Sequence, residues 1–220
     1  MESNRKIVGI VVGRMNSTRF PGKMEQLLCG IPLLQFVINR AEKALHPWPV
    51  IVATSINSPD DRINDIADRN NVECFRGDLL DVAGRVLNCA LKYNADYFVR
   101  LNADSPMIDL QLISRGLQIC QNTDYDLITN IHERSYPYGI SMEIIKTSSF
   151  KTAYSKMNEI QREHVTSYLY QNSDKFNLLN IKSEIEFNKD LGFTVDFPLD
   201  LEKLNKLLDN DTSKTWRDFV

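Results

Sequence analysis

Residues 7–23 read IVGIVVGRMNSTRFPGK, an apolar run followed directly by a basic loop. The first six residues, Ile7 to Val12, are mostly β-branched and uncharged, which predicts a strand buried on both faces. The loop that follows carries cations, hydroxyls and glycines but no carboxylate. In open parallel α/β sheets, ligands bind beyond the carboxyl ends of the strands. The loop therefore occupies the position where such a fold holds its ligand.

Strand-like and helix-like segments alternate after this loop as far as residue 120. Further strands are predicted at Val50–Ala53, Val72–Phe75 and Tyr97–Leu101, and helices are predicted at Pro32–Leu45, Ser58–Arg69, Leu80–Tyr93 and Asp109–Cys120. Such repeated strand–helix–strand units predict an α/β fold of three layers, with a mainly parallel sheet and helices on both faces.

The regular alternation of strands and helices ends in the last third of the chain. There the predicted elements are a strand at Met142–Ile145, two helices of which the second covers Gln161–Tyr170, a strand at Phe193–Val195, and a final helix carrying Leu201, Leu204 and Leu208. Residues 1–220 are expected to form a single domain in which 130–185 is a small inserted α+β lobe.

Composition excludes several classes of protein. The chain has 220 residues, of which 43% are hydrophobic and 25% charged, as in an ordinary globular protein. The net charge of −3 provides no basic face for nucleic acid or an anionic membrane. No apolar run approaches the roughly 20 residues that cross a bilayer. We expect a cytoplasmic protein with neither nucleic-acid nor membrane partners. The four cysteines form no CxxC pair, so neither a zinc site nor a disulfide framework is indicated.

The cations of the first loop are suited to a polyphosphate. Arg14 and Arg19 offer planar forks to phosphate oxygens, Lys23 offers a compact charge, and Gly13 allows backbone N–H groups to approach closely. The loop matches neither GxxxxGK[ST] nor GxGxxG. A solvated basic loop is the alternative interpretation.

Two aspartates follow predicted strands. Asp104 follows the strand at Tyr97–Leu101, and Asp196 follows the strand at Phe193–Val195. Either residue alone is more typical of a helix cap or a turn. Two carboxylates facing a cationic phosphate loop, however, match Mg²⁺, which takes one or two carboxylates and completes its coordination with water and phosphate oxygens. The pair therefore predicts a magnesium site.

Taken together, these motifs resemble the cytidylyltransferases that make CMP-activated sugar acids, and most closely the branch of the spore coat polysaccharide biosynthesis protein. The resemblance rests on Arg14 to Lys23, on Phe75–Asp78 with Asp81 and Val82, on Asn102–Asp109, on Arg162–Thr166 and on Val195–Asp200. It implies a Rossmann-like nucleotidyltransferase that transfers CMP from CTP to a sugar acid and releases pyrophosphate.

The resemblance also implies roles for individual residues. Arg14, Lys23 and Asp104 are the expected catalytic residues, and Asp104 with Asp196 is expected to hold Mg²⁺. The expected nucleotide-binding residues are Gly13, Arg14, Ser17, Thr18, Arg19, Lys23, Arg76 and Asn102, with the Arg76–Arg85 segment contributing to base recognition. The candidates for the sugar side are Tyr136, Tyr138, Glu143 and His164. Each of these four has a structural alternative, such as packing or a solvated surface position.

Four positions depart from the family pattern. Gly13 stands where alanine is common, and Ala103 stands where glycine usually precedes the metal-binding aspartate. Tyr138 and Ser141 stand where acidic residues are typical, which indicates an unusual acceptor.

Two other classes of function stay open at this point. One is a glycosyltransferase dependent on a nucleotide sugar, for which the DxD motif Asp124-Tyr125-Asp126 would be the metal-binding candidate. The other is a nucleotide-binding relative without catalytic activity, as the departures suggest. A homodimer is expected by analogy, with 130–185 as its interface and as the acceptor-binding region.

Overall fold

The structure is a computed structural model that describes residues 5–188 and 190–220. Strands make up its central layer. In this part of the chain they are β1 (Ile7–Val12), β2 (Leu27–Leu28), β3 (Ile31–Pro32), β4 (Val50–Ser55), β5 (Glu73–Gly77), β6 (Tyr97–Asn102), β7 (Leu127–Thr129), β8 (Glu143–Lys146) and β9 (Leu178–Asn180).

Seven of these strands form one sheet in the order β5-β4-β1-β6-β8-β7-β9. The pairs β4–β5, β1–β4, β1–β6 and β7–β9 are parallel, whereas β8 runs antiparallel to both of its neighbours. β2 and β3 form a separate small hairpin. The sheet is therefore mainly parallel, as predicted, with one reversed strand that the sequence pattern did not reveal.

Helices cover both faces of the sheet. They are α1 (Leu33–Leu45), α2 (Asp61–Arg69), α3 (Val82–Lys92), α4 (Leu110–Asn122), α5 (Thr147–Tyr154), α6 (Glu159–Glu163), α7 (Ser167–Gln171) and α8 (Pro198–Leu208). Buried residues of α1, α2, α4 and α8 share one hydrophobic cluster, and those of α3, α5 and α7 share the other. None of the helices in the described residues is long and apolar enough to cross a membrane.

The strand β1 shows why the sheet is buried on both faces. Its side chains alternate, so that Ile7 and Val11 enter one cluster while Val8 and Ile10 enter the other. All four are almost completely removed from water. Each such side chain contributes about 1.5–3 kcal/mol through burial, which explains why a run of uncharged β-branched residues forms this strand.

The predicted strand Phe193–Val195 is wrong. The segment runs extended beside the sheet, where Phe193 N donates to Tyr138 O at 2.7 Å and Val195 N donates to Asp104 O at 2.8 Å. Its neighbours are loops on both sides, so no ladder develops. Gly139, at φ 89°, allows this close approach, because a Cβ there would lie 2.6 Å from the Phe193 carbonyl carbon.

The single helix predicted at Gln161–Tyr170 is also wrong, because two short helices stand in its place. The chain forms α6 and α7 with a break over residues 164–166, where the buried Val165 has a φ of 39°. Left-handed geometry is unfavourable for a β-branched residue. The packing of Val165 into the core outweighs this cost and ends the helix at Glu163.

The region 130–185 is continuous with the main sheet. It provides β8 and β9 to that sheet and α5, α6 and α7 to one face of it.

At the start of α4, Asp109 caps the helix as predicted, accepting the N–H groups of Gln111 and Leu112 at 3.0 Å. Its other oxygen accepts the buried indole N–H of Trp216 at 2.6 Å, which fastens the C-terminal segment to the same core.

Candidate active site

A cleft of about 370 Å³ opens at the carboxyl ends of β1 and β6. This is the edge at which open α/β sheets bind ligands. The cleft brings together most of the residues that the sequence indicates, namely Gly13, Arg14, Ser17, Thr18, Arg19, Lys23, Asn102, Asp104, His164 and Asp196. The basic loop is thus part of a concave site and not simply a solvated surface loop.

Lys23 lies at the centre of the charges in this cleft. Its ammonium is almost fully buried and lies 2.9 Å from Asp104 Oδ2 and 3.9 Å from Asp196 Oδ1. It also donates to the backbone carbonyl of Val195 at 2.8 Å. One cation therefore joins the two aspartates that the sequence pairs, even though they lie 92 residues apart in the chain.

The two arginines of the loop reach opposite sides of the cleft. Arg19 donates to Asp196 Oδ1 at 2.7 Å, and its guanidinium lies over the ring of Phe197. Arg14 extends towards Glu163, with 3.6 Å between the charged atoms. Both side chains are about half exposed, and pairs of this kind hold weakly in water. Phosphate oxygens entering the cleft can therefore compete for both guanidinium groups.

The carboxylate of Asp60 fixes the backbone of the loop after β1 through a hydrogen bond. This carboxylate is 2% exposed and accepts the N–H of Met15 at 2.7 Å, while its other oxygen accepts the N–H and hydroxyl of Ser55. It joins the loop after β1 to the end of β4. The sequence analysis missed Asp60, although an acidic residue close behind a strand end is a recognisable signal.

The ends of β1 and β6 approach each other closely beside the loop. A Cβ atom built on Gly13 would lie 2.8 Å from the Cβ of Ala103. Real Cβ atoms do not come that close, so glycine at position 13 accommodates alanine at position 103. The two departures from the family pattern are in contact with each other.

His164 lies at the end of α6 and lines the cavity together with Glu163. Its backbone N–H donates to Ile160 O at 3.2 Å, so α6 sets its position, and the left-handed Val165 follows it. One of the predicted sugar-side residues therefore lies in the cleft.

Two further arginines line the cleft. Arg85, the last residue of the segment expected to contribute to base recognition, belongs to the buried face of α3 and donates to Asp78 O at 2.7 Å, and burial lowers the pKa of its guanidinium. Arg100 lies within β6 and was not predicted as a site residue. The missed signal for Arg100 is a charge between the apolar residues Val99 and Leu101 of a buried strand.

Four predicted site residues lie outside the cleft, namely Arg76, Tyr136, Glu143 and Tyr138. The nitrogens of Arg76 bind Ser55 O, Asn57 O and Asp61, so its guanidinium braces β4 against the start of α2. Tyr136 is buried with its ring edge-on to Trp216, and burial raises the pKa of its phenol. Glu143 is buried on β8 in an ion pair with Arg100. Each of these three side chains contacts other parts of the protein and not the cleft, and the roles in ligand binding stay predictions.

Tyr138 lies on a neighbouring surface. It is 68% exposed, with the Arg134 guanidinium 4.5 Å from its ring centroid. It lines a second cavity of about 620 Å³ that shares Asp196 with the cleft.

The DxD motif Asp124-Tyr125-Asp126 lies away from the cleft. Asp124 and Asp126 precede β7 at the opposite edge of the sheet, where Asp124 pairs with Lys146 at 2.7 Å. This position argues against the glycosyltransferase interpretation.

A mainly parallel sheet flanked by helices, with this cleft beyond the end of its first strand, defines a nucleotidyltransferase of the Rossmann-like type. Residues 8–218 match the family described as Cytidylyltransferase, and the chain belongs to that family.

Similar proteins agree with this assignment. The structure of a cytidylyltransferase from Leptospira borgpetersenii serovar Hardjo-bovis has a TM-score of 0.92 and 27% identity, covering 98% of this chain and 92% of that one. The 3-deoxy-manno-octulosonate cytidylyltransferase of Bdellovibrio bacteriovorus is 27% identical over 92% of this chain and 98% of its own length. The spore coat polysaccharide biosynthesis protein SpsF of Bacillus subtilis is 24% identical over 91% of this chain and 85% of its own.

Proposed function

We propose that the chain transfers CMP from CTP to a 2-keto sugar acid, with Mg²⁺ as cofactor, and supplies a CMP-sugar for surface polysaccharide biosynthesis. The observation that carries the proposal is the convergence of Arg14, Arg19 and Lys23 with Asp104 and Asp196 in one cleft. Relatives named as 3-deoxy-manno-octulosonate cytidylyltransferases and as a spore coat polysaccharide biosynthesis protein support the acceptor class and the pathway.

The reaction forms a bond from an acceptor hydroxyl oxygen to the α-phosphorus of CTP and breaks the bond to pyrophosphate. Phosphoryl and nucleotidyl transfer of this kind depends on positioning and on neutralising oxygen charge, with little covalent work by the protein. In this cleft the guanidinium groups of Arg14 and Arg19 would bind phosphate oxygens as forks, and the ammonium of Lys23 would neutralise charge from a fixed, buried position. Asp60 would keep the loop amides aligned with the same oxygens.

The residues present fit magnesium. Asp104 and Asp196 offer hard carboxylate oxygens, their side chains are about one-third exposed, and both already face one cation. In the described residues no group of three or more His, Cys, Asp or Glu side chains forms a metal cluster. Mg²⁺ needs only one or two carboxylates, because it retains water and takes phosphate oxygens. Bound there, it would neutralise charge on the phosphates.

The test is pyrophosphate release from CTP in the presence of Mg²⁺ and a panel of 2-keto sugar acids that includes 3-deoxy-manno-octulosonate. We expect release with at least one acceptor and none when EDTA is present. An absence of release from every acceptor, with CTP binding intact by calorimetry, would favour the non-catalytic nucleotide-binding alternative. UTP and ATP in parallel reactions measure the preference for cytosine.

We also propose a homodimer formed through 130–185. Ile160 on α6 is 72% exposed in this region, an unusual position for a large apolar side chain. Light scattering coupled to size-exclusion chromatography measures the mass directly. Ile160→Glu is expected to shift a dimer towards the monomer.

A further inference from the structure

Arg100 is a charged residue within an otherwise apolar strand of the sheet. Its neighbours along β6, Val99 and Leu101, are buried, and the side chain of Arg100 is itself 17% exposed. What remains exposed lines the active-site cleft beside Asn102 and His164. A guanidinium at this position loses most of its hydration, so it requires acceptors.

One acceptor is Glu143, directly opposite on β8. The two residues are cross-strand partners in the register, and a guanidinium N–H of Arg100 donates to Glu143 Oε2. The other oxygen of Glu143 accepts the hydroxyl of Tyr170 at 2.7 Å, and that hydroxyl lies 2.9 Å from Thr129 Oγ1. Burial and the charge of Glu143 raise the pKa of Tyr170, so the phenol stays protonated as a donor. The guanidinium is therefore held rigidly.

The arrangement leaves part of the guanidinium unused. Arginine has five N–H donors in a planar fork, whereas one nitrogen of Arg100 bonds Glu143, and Nε is buried without a hydrogen-bond partner in the part of the chain that the structure describes. Unsatisfied buried donors are unfavourable. A ligand with paired oxygens in the cleft would accept from the Nη donors on the part of the side chain that stays exposed.

The charge balance distinguishes between possible ligands. The loop after β1 already provides Arg14, Arg19 and Lys23 for phosphates. Arg100 lies on the next strand, with the buried carboxylate of Glu143 behind it, so the pair is electrically neutral. A neutral pair attracts a polyanion weakly, but the fork still matches a planar carboxylate in a bidentate geometry.

We propose that Arg100 binds the carboxylate of the sugar acid, with Glu143 and Tyr170 as positioning residues. The inference rests on the proposed CMP transfer and specifies which group of this chain distinguishes an acid from a neutral sugar. It also explains why Glu143, which points away from the ligand, is buried beside the cleft. Discrimination at such a site arises because an uncharged acceptor leaves the guanidinium donors that face the cleft without a carboxylate to bind.

The test compares two acceptors with matched variants. The acceptors are 3-deoxy-manno-octulosonate and the same sugar with its carboxylate converted to a primary amide. The principal variant is the double substitution Arg100→Gln with Glu143→Gln, which leaves no unpaired buried charge and retains an oxygen for Tyr170. Tyr170→Phe is the positioning control, since it leaves both charges in place.

We expect the double variant to lose about 10- to 100-fold in kcat/KM for the acid, the value of one charge-assisted hydrogen bond, and less than about threefold for the amide. The Kd for CTP, measured by calorimetry, should stay within about twofold of the parent. Tyr170→Phe should raise the KM for the acid and leave kcat unchanged. Equal losses for acid and amide, or weakened CTP binding with the discrimination intact, would overturn the role of Arg100.

Failure of the proposed CMP transfer and failure of the role of Arg100 give different results in these assays. If the parent chain releases pyrophosphate only with neutral acceptors, CMP transfer stands and the role of Arg100 is overturned. If the parent binds CTP but turns over neither octulosonate, nonulosonates nor neutral sugars, the proposed function is itself overturned, and the role of Arg100 with it.

Discussion

Gly13 and Ala103 face each other across the ends of two neighbouring strands, where a Cβ atom on Gly13 would lie 2.8 Å from the Cβ of Ala103. The strands are also joined there, since Ala103 N donates to Val12 O at 3.0 Å. The family pattern that the sequence resembles leads us to expect alanine at the first position and glycine at the second. The two departures are therefore in contact and compensate each other, because position 13 lacks the methyl group that position 103 carries.

This exchange predicts a compensating pair of substitutions. Gly13→Ala alone should destabilise the fold by about 1–3 kcal/mol, because an extra methyl is forced into a packed contact. It should also weaken CTP binding, because the loop that we propose binds the phosphates begins at this residue. Adding Ala103→Gly should restore both properties. Urea denaturation and calorimetry of the two single variants and the double variant measure the coupling, and strictly additive effects would contradict the proposed contact.

Asp60 gives a second prediction, about the loop that follows Gly13. Asp60→Ala removes the acceptor of the Met15 N–H and leaves that donor buried, which costs about 1–3 kcal/mol. The loop backbone should then sample other conformations, so the KM for CTP should rise about tenfold or more while the KM for the acceptor changes little. Steady-state kinetics with each substrate varied in turn measures this difference.

A control for Asp60 lies at the next position. Asp61 is exposed and pairs with Arg76 at the protein surface, and such pairs contribute about 0–1 kcal/mol. Asp61→Ala should therefore leave the KM for CTP unchanged. A similar rise in both variants would assign the effect to the start of α2 as a whole and not to the bond with Met15.

Asp104 gives a third prediction, about metal dependence. Asp104→Asn keeps the shape of the side chain but removes the charge that Lys23 contacts and that the proposed Mg²⁺ would share. We expect kcat to fall at least about 100-fold and the Mg²⁺ concentration for half-maximal rate to rise, with little change in melting temperature, because the carboxylate is partly exposed at a sheet edge. Magnesium titrations of the rate provide the measurement.

The matched control for Asp104 is Asp65→Asn on the exposed surface of α2. This variant makes the same chemical change and should keep the parent magnesium curve. Parent-like magnesium dependence of Asp104→Asn would remove this residue from the metal site, whatever the effect on the rate.

The sequence predicted the parts of the fold that depend on local pattern. The apolar run Ile7–Val12 and the amphipathic spacing of α1 depend only on which faces are buried, and both elements formed as expected. The first loop and Asp104 were also brought together, since strand ends of a parallel sheet meet at one edge. These features follow from hydrophobic periodicity and topology alone. Asp196 reaches the same edge by another route, because it follows a segment that forms no strand and whose Val195 N–H donates to Asp104 O.

The features that the sequence did not reveal depend on distant partners. Phe193–Val195 has the composition of a strand, but its hydrogen bonds go to the loop at Tyr138 and to Asp104. Arg76 and Arg100 look equivalent in sequence, yet the first braces a strand end while the second enters the cleft. Tertiary contacts decide both outcomes, and local propensity carries no information about them.

Buried thiols give the last prediction, about alkaline pH. Burial raises the pKa of Cys74 and of Cys120 to about 11 and that of Cys89 to about 12, whereas an unfolded thiol titrates near 8.5. Because the folded pKa is the higher one, the stabilisation is complete below the unfolded pKa and is lost as the pH rises towards the folded pKa. The free energy of unfolding should therefore fall between about pH 9 and 11, by roughly 1.4 kcal/mol per pH unit for each thiol. Urea denaturation across this range measures the slope. Cys120→Ala should reduce this slope by the contribution of one thiol. An unchanged slope would show that Cys120 titrates normally in the folded protein.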